Sequence, residues 1–77
     1  MREKPKKLAS KLKVIRQRLG SSQTVMKKRI EVAGHYGRIS EYELGRRVPS
    51  TLTLLAYART AGVLIEEIVD DQLELSL

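Results

Sequence analysis

Residues 22–50 constrain the fold of this chain most, because they contain two short helical patterns separated by glycines. In the first pattern, side chains with an apolar group or a long stem recur at helical offsets: Val25, Met26, Arg29, Ile30 and Ala33. Gly34 and Gly37 weaken helix propagation, and the pattern resumes in a second predicted helix over about 36–44. The predicted order is a helix, a turn, a second helix and a basic loop that Pro49 closes.

The second of these helices has two different faces. Ile39 and Tyr42 are spaced i and i+3, so they share the face that is expected to bury. Arg38, Glu41 and Leu44 fall on the opposite face. We therefore expect Arg38 and Glu41 to point outward from a compact support.

The rest of the chain predicts three more helices and an all-α fold class. The first starts at Lys6 or Lys7 and has an apolar stripe of Leu8, Leu12, Ile15 and Leu19. Its basic residues are assigned to the solvent-exposed surface: Lys7, Lys11, Lys13 and Arg18. Ser50 is expected to cap a helix over about 51–61, and a short fifth helix follows within 64–69. Glycines stand where C-terminal caps belong, at Gly20, Gly45 and Gly62.

The two ends of the chain differ from the domain between them, which is expected to span 8–69. Residues 1–7 are rich in cations and contain Pro5, so they are predicted to form a flexible basic arm. Residues 70–77 are acidic and alternate leucines with polar residues. This period of two favours a strand that pairs with the same strand of a second subunit, and a frayed tail is the alternative.

Charge is distributed unevenly along the chain, whose net charge is +6. Residues 1–50 contain 14 basic and 4 acidic residues, a net +10, whereas residues 51–77 contain 1 basic and 5 acidic residues, a net −4. The basic half contains the two central helical patterns. This polarity favours a polyanion that approaches from one side, and the alternative is a solvated charged face without a partner.

Several kinds of function find no support in the sequence. There is no cysteine for a disulfide or a thiolate metal site, which fits a reducing cytosol, and no apolar run long enough for a membrane span. His35 is the only histidine, and no catalytic base, metal-ligand cluster or cofactor-binding motif accompanies it. All three aromatic residues are tyrosines with no visible stacking platform, which argues against RNA binding. We expect a cytoplasmic protein that is not an enzyme and uses no metal or cofactor.

Taken together, the motifs resemble the phage-repressor and Cro-like (XRE-type) helix-turn-helix family. The matching residues are Arg16 in helix 1, Gly20, Ser22 and Gln23 at the start of helix 2, Ile39, Tyr42, Glu43 and Gly45 around helix 3, and Pro49, Ser50 and residues 53–69 beyond it. The resemblance covers roughly residues 8–69. It implies a compact five-helix lambda-repressor-like domain in which helices 2 and 3 form the helix-turn-helix and helix 3 enters the major groove of DNA.

The same resemblance implies roles for individual residues. It pairs Arg16 with Glu43 as a structural ion pair. The implied DNA contacts are Ser22 and Gln23 to phosphate, Tyr36, Gly37, Arg38, Ser40 and Glu41 near base edges, and Arg46 and Arg47 to the backbone. Arg38 is the preferred base reader because its fork matches the two major-groove acceptors of guanine, and an ion pair with Glu41 is its alternative role.

This chain departs from the family pattern at three points. Two extra residues appear between Gln23 and Ile39, Lys27 stands where a small residue is usual, and His35 replaces the usual serine or threonine cap of helix 3.

The predicted function is sequence-specific binding of double-stranded DNA by a transcriptional regulator, a repressor that acts as a homodimer. The alternative is an antitoxin-type module whose C-terminal part binds a toxin-like partner protein, with autoregulatory DNA binding.

Overall fold

The computed structural model describes residues 6–32 and 38–77, and these residues form five helices. The helices are α1 (Leu8–Arg18), α2 (Gln23–Val32), α3 (Ile39–Glu43), α4 (Thr51–Ala61) and α5 (Ile65–Val69). The prediction of an all-helical domain with five helices is confirmed for this part of the chain, which contains no strand. The predictions made for residues 1–5 and for Ala33, Gly34, His35, Tyr36 and Gly37 lie outside the described residues.

One apolar core joins all five helices. Helix α1 packs against α3, α4 and α5, and α2 packs against α3 and α4. The largest completely buried side chains are Tyr57, Leu12, Ile15, Met26, Ile30 and Ile68. Ile39 and Tyr42 on α3 are also buried, whereas Leu44 after the helix is exposed. The two faces predicted for α3 are therefore present. Because Ile39 and Tyr42 anchor one face in the core, the opposite face is held toward solvent.

Local hydrogen bonds define the helix ends as the sequence predicts. Ser22 Oγ accepts from the Val25 N–H at 3.2 Å, and Ser50 Oγ accepts from the Thr53 N–H at 3.2 Å. Gly20, Gly45 and Gly62 follow helices α1, α3 and α4 with φ angles of 66°, 74° and 72°. At Gly45 this left-handed turn has a consequence, because it brings the next two backbone N–H groups back to the carbonyl of Glu41.

Helix α3 begins at Ile39 with Arg38 as its N-cap residue, whereas the family pattern placed the cap at His35. The Arg38 carbonyl accepts the first helical hydrogen bond, from the Tyr42 N–H at 3.0 Å, and the Arg38 side chain itself makes no capping hydrogen bond. Arg38 therefore stands at the entry to α3 rather than inside it.

Lys11 is buried, so the prediction that it lies on the solvent-exposed surface of α1 is wrong. Its side chain is only 8% exposed, and Nζ donates to the carbonyls of Glu67, Asp70 and Leu73 at 2.6, 2.8 and 2.7 Å. The long apolar stem of a lysine can cross the edge of a core while its ammonium meets polar groups. Here those groups are the last carbonyls of α5 and the turn that follows it.

The tail, residues 70–77, is attached to the start of α1. The Asp71 carboxylate accepts from the backbone N–H groups of Lys6 and Lys7 at 2.8 and 3.0 Å. It therefore caps a helix that lies more than sixty residues earlier in the sequence. These hydrogen bonds lower the pKa of Asp71. Lys6 and Lys7 thus belong to the folded domain and not to the flexible arm predicted for residues 1–7.

The end of the tail is held by Glu67 of α5. One oxygen of Glu67 accepts from the Leu64 N–H at 2.9 Å, and the other accepts from the Ser76 N–H and hydroxyl at 2.7 and 2.6 Å. Within one chain the tail forms a turn followed by an extended segment, and no strand of the described residues pairs with it. The tail is therefore held against the domain and is not the frayed end that was the alternative, while pairing with the same segment of a second subunit stays a prediction.

Candidate nucleic-acid interface

A groove of about 570 Å³ between α2 and α3 brings several of the candidate residues together. It is lined by Gln23, Thr24, Lys27, Arg38, Ile39, Ser40 and Glu41. Arg38 and Ser40 are exposed and Glu41 is partly exposed, while the Ile39 side chain is buried below them. Three predicted base contacts therefore share one surface with the predicted phosphate contact Gln23.

An ion pair behind α3 connects this surface to α1. Arg16 Nε donates to Glu43 Oε2 at 2.7 Å, and Arg16 Nη2 donates to Glu43 Oε1 at 3.0 Å. The side chains are 16% and 4% exposed. Arg16 Nη1 also donates to the Ser21 carbonyl at 3.1 Å, which extends the contact to the α1–α2 connection. The hydrogen bonds to Glu43 raise the pKa of Arg16, so this guanidinium stays charged and ties α1 to α3.

Gln23 is oriented by the same ion pair. Its Nε2 lies 3.4 Å from Glu43 Oε1, a long hydrogen bond that leaves one amide hydrogen and the amide oxygen for other partners. Ser22, one residue earlier, uses an oxygen lone pair to cap α2, and its hydroxyl hydrogen is available on an exposed side chain. Both residues stand at the start of a helix of ten residues, where free N–H groups and the helix dipole favour an anion.

Glu41 lies between two arginines on the exposed side of α3. Its Oε2 is 2.7 Å from Arg47 Nε and 3.7 Å from Arg38 Nη1. Neither contact has the alignment of a hydrogen bond, and Oε2 itself has almost no accessible surface. The alternative role for Arg38, an ion pair with Glu41, is thus present in the free chain. It does not exclude DNA contact, because the Arg38 side chain remains 63% exposed.

The loop after α3 presents two more cations. The backbone N–H groups of Arg46 and Arg47 donate to the Glu41 carbonyl at 3.0 and 3.4 Å, so the loop backbone is fixed against the helix. Both side chains are exposed. Among the described residues, no carboxylate lies within 4 Å of the Arg46 guanidinium, which leaves Arg46 ready to meet an external anion.

Two groove residues, Thr24 and Lys27, were missed by the sequence-based site. Lys27 follows Gln23 at i+4, so helical spacing alone places it on the same face. Its Nζ lies 4.0 Å from the Glu31 carboxylate, and its side chain is well exposed. Lys28 and Arg29 instead line a separate apolar recess with Val25 and Thr60. Of the three consecutive cations Lys27, Lys28 and Arg29, only Lys27 therefore lines the groove.

Tyr57 of α4 is buried in the core with its hydroxyl unpaired. The hydroxyl has no hydrogen-bond partner among the described residues, and burial, together with the negative charge of Glu43, raises the pKa of Tyr57. The ring stays neutral and supports the region where α1, α3 and α4 meet.

Residues 6–32 and 38–77 contain neither a cluster of metal ligands nor a membrane-spanning helix. No three histidine, aspartate or glutamate side chains there are grouped as ligands for a metal ion. No helix in these ranges has the length and apolar character needed to cross a bilayer.

No protein-family model matches the sequence, and no similar chain was found among curated proteins or solved structures. The function is therefore inferred from the groove, from the charges around it and from the motif resemblance.

Proposed function

We propose that this chain is a sequence-specific double-stranded DNA-binding regulator of transcription with a lambda-repressor-like domain. In this proposal α2 and α3 form the helix-turn-helix, and α3 lies in the major groove. One observation carries the proposal: α3 buries Ile39 and Tyr42 while it presents Arg38 and Ser40 in an open groove lined by polar residues of α2. Side chains in this position can reach base edges while the core holds their backbone still.

The charges around the groove favour a polyanion. Lys27 lines it, Arg38 stands at its α3 side, and Arg46 and Arg47 extend the cationic surface into the next loop. Cations that neutralise phosphates release counterions from DNA, so affinity should fall steeply as salt increases. Five of the nine acidic residues lie elsewhere, in α5 and the tail, and Glu41 is the one carboxylate among the described residues that line the groove.

The contacts divide into two kinds. Arg38 is the proposed base reader, because its guanidinium can donate two hydrogen bonds to guanine once it leaves Glu41. Gln23 and Ser22 at the start of α2 would bind one phosphate, and Arg46 and Arg47 would bind others. Phosphate contacts set the position of α3, whereas Arg38 would supply the sequence preference.

The proposed assembly is a homodimer on an operator with two-fold symmetry. The two recognition helices would lie about one DNA turn apart, roughly 34 Å. Such a protein would act in the cytoplasm as a repressor that blocks polymerase, with no catalytic group, metal or cofactor. Exposed leucines at the acidic end of the molecule, Leu64, Leu73 and Leu77, favour a protein contact there.

The decisive experiment is selection of bound sequences from a random duplex pool with the wild type and with Arg38→Ala. We expect a pseudo-palindromic consensus, which loses one base preference in Arg38→Ala. Arg59→Ala is the matched control, since Arg59 is an exposed arginine on α4 outside the groove and should leave the consensus unchanged. A wild type that enriches no sequence would refute the proposal.

Arg46→Ala tests the backbone contacts separately. It should weaken binding to every duplex alike and reduce the slope of log affinity against log salt by about 1. A loss confined to one sequence would mean that Arg46 contacts a base.

The second candidate function is an antitoxin-type module whose C-terminal part binds a partner protein. The same exposed leucines, at 63%, 42% and 43% exposure, are the observation in its favour. Leu73→Ser with Leu77→Ser separates the two functions when mass is measured by light scattering. If the leucines form the homodimer, the double variant becomes monomeric; if they await a different protein, the wild type is already monomeric.

A further inference from the structure

We infer that Glu41 is an internal counterion that lowers the affinity of this surface for non-cognate DNA, and that it is not a base reader. This inference rests on the proposed DNA-binding function. It assigns to Glu41 the role of a specificity-determining residue that acts through Arg38 and Arg47.

The Glu41 carboxylate lies beside Arg38 and Arg47, so it competes with DNA phosphates for these two cations. Oε2 lies 2.7 Å from Arg47 Nε and 3.7 Å from Arg38 Nη1, and this oxygen has almost no accessible surface although the side chain as a whole is 38% exposed. Oε2 therefore cannot accept from a cytosine amino group unless the groups around it move. This oxygen is better placed to hold arginines than to contact a base.

The backbone keeps the three residues together. The Glu41 carbonyl accepts from the Arg47 N–H at 3.4 Å and from the Arg46 N–H at 3.0 Å, so the loop remains beside α3 when the side chains rearrange. Arg47 can consequently exchange the carboxylate for a phosphate by side-chain rotation alone. Arg46 has no such partner among the described residues, so binding an anion requires no exchange.

Exchange has a different effect on cognate and random duplexes. On any duplex, Arg47 must leave Glu41, and the carboxylate then remains near phosphates that repel it. On a random duplex, Glu41 also holds Arg38 back from the phosphates that it could otherwise bind, whereas on the cognate duplex two hydrogen bonds to guanine draw Arg38 away from Glu41. Glu41 thus weakens all binding but penalises random sequences more, which increases the ratio between the two affinities.

Glu41→Gln is the variant that tests this role, because glutamine keeps the shape and removes the charge. Glu66→Gln is the matched control: it makes the same change in net charge at an exposed position on α5, away from the groove. Affinity would be measured by fluorescence anisotropy on a random duplex and on the selected duplex, each over a range of salt concentrations.

We expect Glu41→Gln to bind the random duplex about 3- to 10-fold more tightly than Glu66→Gln, since two exposed ion pairs no longer compete. Affinity for the selected duplex should rise less, so the specificity ratio falls, and the salt slope on random duplex should steepen by about 1. Adding Arg47→Gln to Glu41→Gln should remove most of the gain, which a purely structural role for Glu41 would not predict.

Two other outcomes would overturn the inference. If Glu41→Gln matches Glu66→Gln on the random duplex, Glu41 does not restrain the arginines. If it instead loses affinity for the selected duplex at one base pair, Glu41 reads that base. A wild type that binds neither duplex would refute the proposed function, and this inference with it, so the two failures are distinguishable.

Discussion

Glu41 and Glu43 stand two residues apart on α3, and each pairs with arginine in a different region of the molecule. Glu43 faces α1, where its side chain is 4% exposed and Arg16 holds both of its oxygens. Glu41 faces the groove, where its side chain is 38% exposed and its partners are 63% and 54% exposed. Glutamate–arginine ion pairs therefore form both in a buried region of the domain, at Glu43, and at its surface, at Glu41.

The difference shows what burial does to an ion pair. A buried carboxylate that loses its partner leaves an uncompensated charge, so the Arg16–Glu43 pair is tied to stability. An exposed pair is screened by water and contributes little to stability, so its arginines can exchange partners. The buried pair thus ties Glu43 to stability, and the proposed role in DNA binding falls to Glu41 on the same short helix.

The largest expected effect belongs to Glu43→Gln. It leaves Arg16 without a matching charge, and we expect the free energy of unfolding to fall by about 3 kcal/mol, the lower end for buried pairs because Arg16 is partly exposed. Urea unfolding followed by far-UV circular dichroism measures this, with Glu41→Gln as control at under about 0.5 kcal/mol. Equal losses in the two variants would show that the regions do not differ as described.

Helix α1 allows the same comparison of a buried with an exposed charge, because Lys11 is buried and Lys13 is exposed. Lys11→Met removes three hydrogen bonds from a charged donor and should reduce the unfolding free energy by about 2 to 3 kcal/mol. Lys13→Met, at an exposed position two residues away, should change it by less than about 0.5 kcal/mol. If Lys11→Met is as stable as the wild type, the three carbonyls accept equally good hydrogen bonds from water when the ammonium is absent.

Tyr57→Phe tests a buried hydroxyl that has no hydrogen-bond partner within residues 6–32 and 38–77. Removing the unpaired hydroxyl should raise the unfolding free energy by up to about 1 kcal/mol, because no hydrogen bond is lost while desolvation is relieved. The midpoint of thermal unfolding would report this, with Tyr42→Phe as the comparison. A clear loss of stability would indicate that the hydroxyl has a hydrogen-bond partner.

The smallest effect is expected at Asp71, which is partly exposed yet accepts two backbone hydrogen bonds. Its pKa is lowered by those bonds, so its contribution is present above the ordinary value of 3.8 and is lost as pH falls through the lower folded value. In Asp71→Asn, stability should therefore fall less between about pH 5 and pH 3 than it does in the wild type. Glu74→Gln is the control, and an identical pH profile for wild type and Asp71→Asn would contradict the role of Asp71 as a helix cap.

Periodicity and capping residues were sufficient to predict the helices, because both depend on residues close in sequence. The buried stripe of α1, the serine caps and the left-handed glycines follow from spacings of at most four residues. Arg16 and Glu43 are 27 residues apart, and only the family resemblance, not spacing, suggested that they pair. Of the predicted base contacts, the structure describes Arg38, Ser40 and Glu41, and all three line the groove.

What could not be predicted depends on contacts between distant parts of the chain. A helical pattern shows that Lys11 lies beside an apolar stripe, but not that carbonyls from α5 and the tail meet its ammonium. Asp71 is one of several acidic residues in the tail, and its position in the sequence does not show that its carboxylate accepts from the backbone N–H groups of Lys6 and Lys7, at the start of α1. Lys27 is different, because its i+4 spacing from Gln23 is enough to place the two residues on the same face of α2.

The attachment of the tail to α1 also affects the order in which the chain can fold during synthesis. Until residues 67–73 emerge from the ribosome, Lys11 has none of its three acceptors and Asp71 cannot reach the backbone of Lys6. Contacts between residues so far apart form late and slow the acquisition of structure. Helix α1 is thus translated early but gains its last contacts only from residues 67–73, and we expect a nascent chain stalled before them to expose α1 to proteases.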